Sequence, residues 1–290
     1  MINKINAEVF TAVAALGSYR KAADKLGYTQ AGISYIINSM EEDAGFRFFI
    51  REFGGVRLTQ EGSQLLPFMQ RLKDAERNVN EQVDRISGLE TGRIRLRSIN
   101  TFLICYLPDI LVEFKKKYPG IEIELSASDS PAETTKAIVD GEADVAFTQI
   151  TTSDQLELVP ICREEDMVVV SKDHPLAKRK VFPISRLGDY PYIGCSEELD
   201  SYNYDLARRF DVTLNQVMEV NNDYGCFTMI SKGLGFGIYP KIMVKKCGFP
   251  VKGIPFDTSS YTDISIGYRS YDSLSLAAKA FVDYVRELQL

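Results

Sequence analysis

Few residues of this chain are arranged to make or break bonds. Its one histidine, His174, stands in Asp173-His174-Pro175, a loop-forming tripeptide with no serine or cysteine motif beside it. Glu197 and Glu198 are adjacent, and adjacent side chains in a helix or strand diverge instead of converging on one substrate. Five cysteines, Cys105, Cys162, Cys195, Cys226 and Cys247, are scattered, odd in number and without metal-ligand spacing, which is the pattern of reduced cytosolic thiols. Gly233-Leu234-Gly235-Phe236-Gly237 is glycine-rich, but a helix precedes it and a strand follows, the reverse of a phosphate-binding turn. No catalytic residue, metal site or cofactor is expected.

The chemistry this chain does offer is hydrogen bonding from one helix face. Gln30, Ser34, Tyr35 and Asn38 recur at helical spacing opposite Ile33, Ile36, Ile37 and Met40. Side chains of that length reach base edges and phosphates in a major groove. A short helix must precede this one: Ser18 caps it, Ala22, Ala23 and Leu26 face inward, and Gly27 ends it. Thr29 then caps the second helix, and Arg20, Lys21 and Thr29 join the polar face. This is a helix-turn-helix pattern. Any three-helix bundle contains a similar pair, so periodicity alone leaves DNA binding and partner association both open.

A first helix over residues 3–16 supplies the floor, with Ile5, Val9, Phe10, Val13 and Leu16 in one stripe. Extended runs at 46–50 and 56–58 around Gly54-Gly55 predict a wing, from which Arg51 and Arg57 point toward a phosphate backbone, with Arg47 nearby. The plain alternative for these arginines is solvated surface. Thr59 caps a long helix to about Leu89, where Leu65, Phe68, Leu72, Ala75, Val79, Gln82, Ile86 and Leu89 form a heptad seam. So narrow a stripe needs a partner, and its own copy is the simplest; Leu65, Phe68, Leu72, Val79 and Ile86 are the expected dimer contacts. The net charge is −6, and residues 1–90 are themselves near balance, so DNA affinity must come from placement of the basic residues.

At 290 residues, 45% hydrophobic and 26% charged, the chain suits two or three soluble units. No signal peptide or membrane-spanning run is apparent, so a cytoplasmic protein without a membrane partner is expected. From Arg93 onward, strand-like and helix-like segments alternate, which predicts α/β units around a largely parallel sheet. Crossovers near 149–159 and 267–270 would divide two lobes. Ligands of such lobes bind beyond the carboxyl ends of strands. The expected lining is Asn100, Thr101 and Phe102 after the first strand and Thr148 and Gln149 after the third, with Cys195, Ser196, Asn222 and Tyr224 from the second lobe. The competing explanation is that these residues merely cap helices, as Thr and Asn often do.

Residues 1 to 62 resemble the N-terminal domain of the LysR-type transcriptional regulators. The matching points are Phe10, Val13, Gly17-Ser18-Tyr19, Ala22-Ala23, Leu26, Gln30, Ile33-Ser34, Met40-Glu41, Gly45, Phe48-Phe49-Ile50-Arg51 and Leu58-Thr59-Gln60-Glu61-Gly62. Pro108, Tyr118-Pro119, Gly141-Glu142-Ala143-Asp144, Gly233-Leu234-Gly235 and Pro240 extend the likeness through most of the chain. It implies a winged helix-turn-helix over 1–60, a linker and dimerisation helix over 61–90, and a periplasmic-binding-protein-like effector domain over 91–290. Lobe I of that domain would be 91–155 with 268–290, and lobe II 156–267. It further implies binding to double-stranded promoter DNA, a small-molecule effector, a homodimer or dimer of dimers, and RNA polymerase as a further partner. One departure is Tyr35, where the family often carries arginine, which puts one phosphate or guanine contact in doubt. The expected effector is neutral, zwitterionic or singly charged. A helix starting at Thr101 would suit a carboxylate, yet no Arg or Lys stands in the proposed lining, and Asp129, Glu197, Asp200 and Asp223 lie near it in sequence. The alternative function is a solute-binding module whose N-terminal helices serve partner association.

Overall fold

The computed structural model describes residues 4–86, 92–197 and 199–288. Gly88, Leu89 and Glu198 lie outside the described residues, as does the side chain of Ile86. Three helices open the chain: α1 (Lys4–Leu16), α2 (Tyr19–Leu26) and α3 (Gln30–Ala44). The Ser18 side chain accepts from the Lys21 amide and Thr29 from the Gly32 amide, so both caps form where the sequence places them. Gly27 (φ 73°) and Gly45 (φ 80°) end α2 and α3 in the left-handed conformation that a Cβ makes costly. Ala22, Ala23, Ile33, Ile37 and Met40 bury against Val9, Phe10 and Val13 of α1.

The wing is a two-stranded antiparallel ribbon, β1 (Phe49–Glu52) and β2 (Gly55–Leu58). It starts three residues later than the extended run suggests, and its turn is Phe53-Gly54, since Glu52 pairs with Gly55. The reason is Glu41. Its buried carboxylate accepts from the Phe48 amide at 2.7 Å and the Phe49 amide at 3.1 Å, holding that segment to α3. Thr59 caps α4 (Gln60–Ile86) through the Gly62 amide, and α4 packs along α1.

The remaining elements are β3 (Gly92–Ser98), α5 (Asn100–Cys105), α6 (Leu107–Lys117), β4 (Ile121–Ala127), α7 (Pro131–Val139), β5 (Val145–Thr148), β6 (Glu157–Ser171) and β7 (Pro191–Gly194). There follow α8 (Ser201–Arg209), β8 (Asn215–Glu219), α9 (Asp223–Ser231), β9 (Gly237–Pro240), α10 (Lys241–Lys246), β10 (Val251–Pro255), β11 (Tyr261–Tyr268) and α11 (Leu276–Glu287). α5 and α6 are separate helices, because Pro108 has no amide to continue the first and sits comfortably in the opening turn of α6.

One sheet runs through both lobes in the order β10-β6-β11-β5-β3-β4, with β9 also on β6, while β7 and β8 pair apart from it. Among the described strand pairs of that sheet only β3–β4 and β3–β5 are parallel, so it is mixed and not largely parallel; the separate β7–β8 pair is parallel too. The fifteen-residue strand β6 decides this. Its first part lies antiparallel to β11 in lobe I, and its last part carries β10 and β9 in lobe II. The lobes therefore change over at Asp166 and Ser260, whose backbones are hydrogen-bonded at 3.0 Å, and not near 156 and 267. The charge run Arg163-Glu164-Glu165-Asp166 hides the strand, since Arg163 is balanced across the ladder by Asp263, directly opposite it. Lobe I packs around Phe102, Phe114, Phe147 and Phe281, and lobe II around Phe182, Tyr192 and Phe236.

Candidate functional sites

The first site is a concave surface between α2, α3 and the wing. Ser18, Arg20, Gln30, Ser34, Arg51 and Glu52 line it. The Arg51 guanidinium stands 6.0 Å from the Tyr19 ring centroid, which holds it beside the start of α2. Lys21, Tyr35 and Asn38 are exposed around it; Tyr35 is 74% exposed. Thr29 is occupied as the α3 cap. Two of the expected arginines are already engaged: Arg57 pairs with Glu52, and Arg47 donates to Glu41 at 2.6 Å. Glu52 and Glu41 were not among the sequence candidates, because a sequence does not show which carboxylate faces which arginine. Nor was Phe53, which lies fully exposed at the wing tip, although its place before Gly54 at a turn was a usable signal.

On α4, Leu65 is half-buried against the helical core, while Phe68, Leu72 and Val79 form an apolar stripe that faces solvent at 61%, 40% and 62% exposure, with the Arg71 guanidinium 4.4 Å from the Phe68 ring centroid. The other side of α4 meets lobe I. Arg77 donates to Asp144 at 2.8 Å, and Arg269 donates to Gln70 at 2.9 Å and pairs with Asp74.

The second site is a cleft of about 60 Å³ between the lobes. Of the expected lining, Thr101, Gln149 and Cys195 are in its wall. Asn100 stands one step back, giving its amide (2.9 Å) and side chain (2.5 Å) to Asp129, a wall residue. Five others are placed elsewhere. Phe102 is fully buried, stacked on Phe147 at 4.0 Å in the lobe I core. Thr148 is buried and accepts from the Ile150 amide, and Asn222 caps α9 by accepting from the Gly225 amide at 2.7 Å. Ser196 turns its backbone carbonyl to Leu199 and Asp200, and Tyr224 is 75% exposed against Phe249. For these, capping or packing accounts for the residue.

What the structure brings together instead is acid. Asp129, Asp166, Asp200 and Asp223 all line the cleft, and among the described residues no lysine or arginine does. Asp166 accepts from Ser260 at 2.5 Å, Thr262 at 2.6 Å and Tyr202 at 3.1 Å. Asp200 accepts from Tyr192 and, at 2.7 Å, from Asn203. Burial pushes the Asp200 and Asp223 carboxyls up to about 7 each; Asp129 adds to both, and hydrogen bonds from Tyr192 and Asn203 to the first and from Tyr239 to the second hold them back. Burial likewise raises Asp129 and Asp166 against their hydrogen bonds. The amide expected to meet a carboxylate ligand at the start of α5 is already taken by Asp129.

A winged helix-turn-helix joined by a long helix to a two-lobed ligand cleft defines a class, the effector-responsive DNA-binding regulators. Residues 6–63 match the family model described as bacterial regulatory helix-turn-helix protein, lysR family, and residues 87–289 match the LysR substrate binding domain. The second match alone spans more than half of the chain: this protein belongs to the LysR family of DNA-binding transcriptional regulators with an effector-binding domain. It is 28% identical over 284 residues, 97% of each chain, to the uncharacterized HTH-type transcriptional regulator YvbU of Bacillus subtilis (strain 168). A full-length OxyR variant from Pseudomonas aeruginosa superposes with a TM-score of 0.77 at 17% identity, covering 99% of this chain and 95% of that one. The effector binding domain of QuiR in complex with shikimate superposes with a TM-score of 0.60 at 22% identity, covering 67% of this chain and 95% of that one.

Proposed function

We propose that this regulator works as a homodimer, or dimer of dimers, joined along the solvent-facing stripe of α4, and presents two winged helix-turn-helix units to promoter DNA. Gln30 and Ser34 reach base edges from α3. Arg20, Lys21, Tyr35, Asn38 and Arg51 hold the flanking phosphates, and Phe53 meets the groove at the wing tip. Arg57, balanced by Glu52, contributes less than Arg51. A small-molecule effector enters the inter-lobe cleft, as shikimate is bound by the effector domain of QuiR. Its binding reaches the DNA-binding half through the contacts of Arg77 with Asp144 and of Arg269 with Asp74. The setting is the cytoplasm, where RNA polymerase is a further partner; no described helix is long and apolar enough to cross a membrane.

The observation that carries the reading is the convergence of Arg20, Gln30, Ser34 and Arg51 on one concave face. A gel-shift assay with DNA from just upstream of the protein's own gene tests it. Wild-type protein should retard that DNA, and Arg51→Ala should need a higher protein concentration to do so. Equal retardation of an unrelated duplex would sink the sequence-specific reading.

A further inference from the structure

We propose that the inter-lobe cleft takes an organic cation, a compound with a protonated amine or guanidine group, bound by Asp223, Asp200 and Asp129 together with the Thr101 hydroxyl. This deepens the reading of the cleft as the effector site and rests on it.

The first observation is uncompensated charge. Carboxylates from four separate segments face one small space, and among the described residues every hydrogen-bond donor to them is neutral: Asn100, Ser260, Thr262, Tyr202, Tyr192, Asn203 and Tyr239. Buried carboxylates are ordinarily paired with a cation or a metal. Here the counter-charge is not in the described wall, so a ligand is the natural source. The second observation is independent of charge. Thr101 is only 7% exposed, it lines the cleft, and its hydroxyl has no hydrogen-bond partner among the described residues. Its hydroxyl opens onto the cleft and is bonded to no other described side chain or backbone group, which leaves it free to accept from a donor on a ligand. N–H donors of a cationic ligand, spaced along its chain, answer both needs.

Two other ligand classes fit less well. An anion would find the Asn100 amide taken by Asp129 and four carboxylates around it. A metal ion needs ligands drawn together, and among the described residues no three His, Cys, Asp or Glu side chains are placed to hold one. The carboxylates are spread around the space, which suits N–H donors on a narrow chain, with Leu199, Ile238 and Pro240 beside its methylenes.

The test is calorimetry and thermal shift on the full-length protein with 1,4-diaminobutane, agmatine and lysine at millimolar concentration, against succinate, shikimate and magnesium chloride. At least one amine should bind and stabilise, and the other three compounds should not. Asp223→Asn should weaken the amine by about tenfold to a hundredfold, the loss of one charge-assisted hydrogen bond. It should also raise the melting temperature of the unliganded protein, because a repelling charge is gone; a merely structural Asp223 would lower it. Failure of all three amines, or unchanged amine affinity in Asp223→Asn, overturns the proposal. Thr101→Trp, which fills the cleft, separates it from the underlying reading. If succinate binds and this variant blocks it, the cleft is the effector site and the charge class is wrong. If amine binding survives the variant, the cleft itself is the wrong place.

Discussion

Arg77 of the linker helix and Asp144 at the start of β5 are joined at 2.8 Å, and the same carboxylate holds Arg95 of β3 at 2.6 Å. Asp144 is 6% exposed, so one buried carboxylate ties the DNA-binding half to the first lobe of the effector domain. Burial raises its carboxyl, but Arg95 and then Arg77 outweigh that and hold it below the usual range.

Asp144→Asn should therefore destabilise the protein by about 2 kcal/mol. That is less than the ~3–5 kcal/mol of breaking a fully buried pair, because both arginines retain partial access to water. The sign with pH follows from the depressed carboxyl. Its stabilisation is complete above the ordinary carboxylate range and is lost as pH falls through its lowered folded value. Urea unfolding of wild type and variant at neutral and acid pH should show the gap close toward low pH. A gap that persists would mean Asp144 acts by shape alone.

Asp200 and Asp223 shift the other way, to about 7 from an ordinary 3.8. Between those values the folded chain holds more protons than the unfolded one, so their contribution to stability falls as pH rises. Facing them are Asp129, the hydroxyls of Tyr192 and Tyr239, and Asn203, none of which supplies positive charge. The melting temperature of Asp223→Asn relative to wild type should climb from pH 5 to pH 8. A flat difference over that range would show that Asp223 titrates as an ordinary carboxylate.

On the DNA face, Arg51→Ala should weaken binding to all sequences and reduce the slope of log affinity against log salt by about one. Gln30→Ala should cost roughly 1–3 kcal/mol at one base position and leave the slope alone. Arg57→Ala should do less than Arg51→Ala, because Glu52 already holds that guanidinium. Fluorescence anisotropy across a salt series distinguishes the three, and equal slopes for all of them would remove Arg51 from the phosphate contacts.

Leu72→Asp places a charge in the middle of the exposed stripe on α4, between Phe68 and Val79. If that stripe is the seam between two copies, the variant should sediment as a monomer, since burying an unpaired carboxylate costs more than the ~2–7 kcal/mol of a neutral polar group. Wild-type sedimentation would move the dimer contact off this helix.

Local pattern was enough for the helix-turn-helix. Ser18, Gly27, Thr29 and Gly45 act on backbone within four residues of themselves, and the burial of Ile33, Ile37 and Met40 follows from a period of 3.6. The likeness to the LysR family was readable for the same reason, as a run of such local signals in fixed order. Where the lobes divide was not readable. The first part of β6 is strand only because β11, about a hundred residues later, supplies a ladder and sets Asp263 opposite Arg163. The cleft shows the same limit. Thr101, Gln149 and Cys195 could be chosen because residues after strand ends share a known place in such folds. The four aspartates could not be placed, since one lies before α7, one in β6, one before α8 and one at the start of α9. Sequence put Asp129, Asp200 and Asp223 near the lining and left open whether their loops turned them to water. Asp166, in the middle of a charge run, gave no sign of it at all. Only the packing of the fold brings these carboxylates to one space and buries them, and that burial, which no spacing encodes, raises their proton affinity.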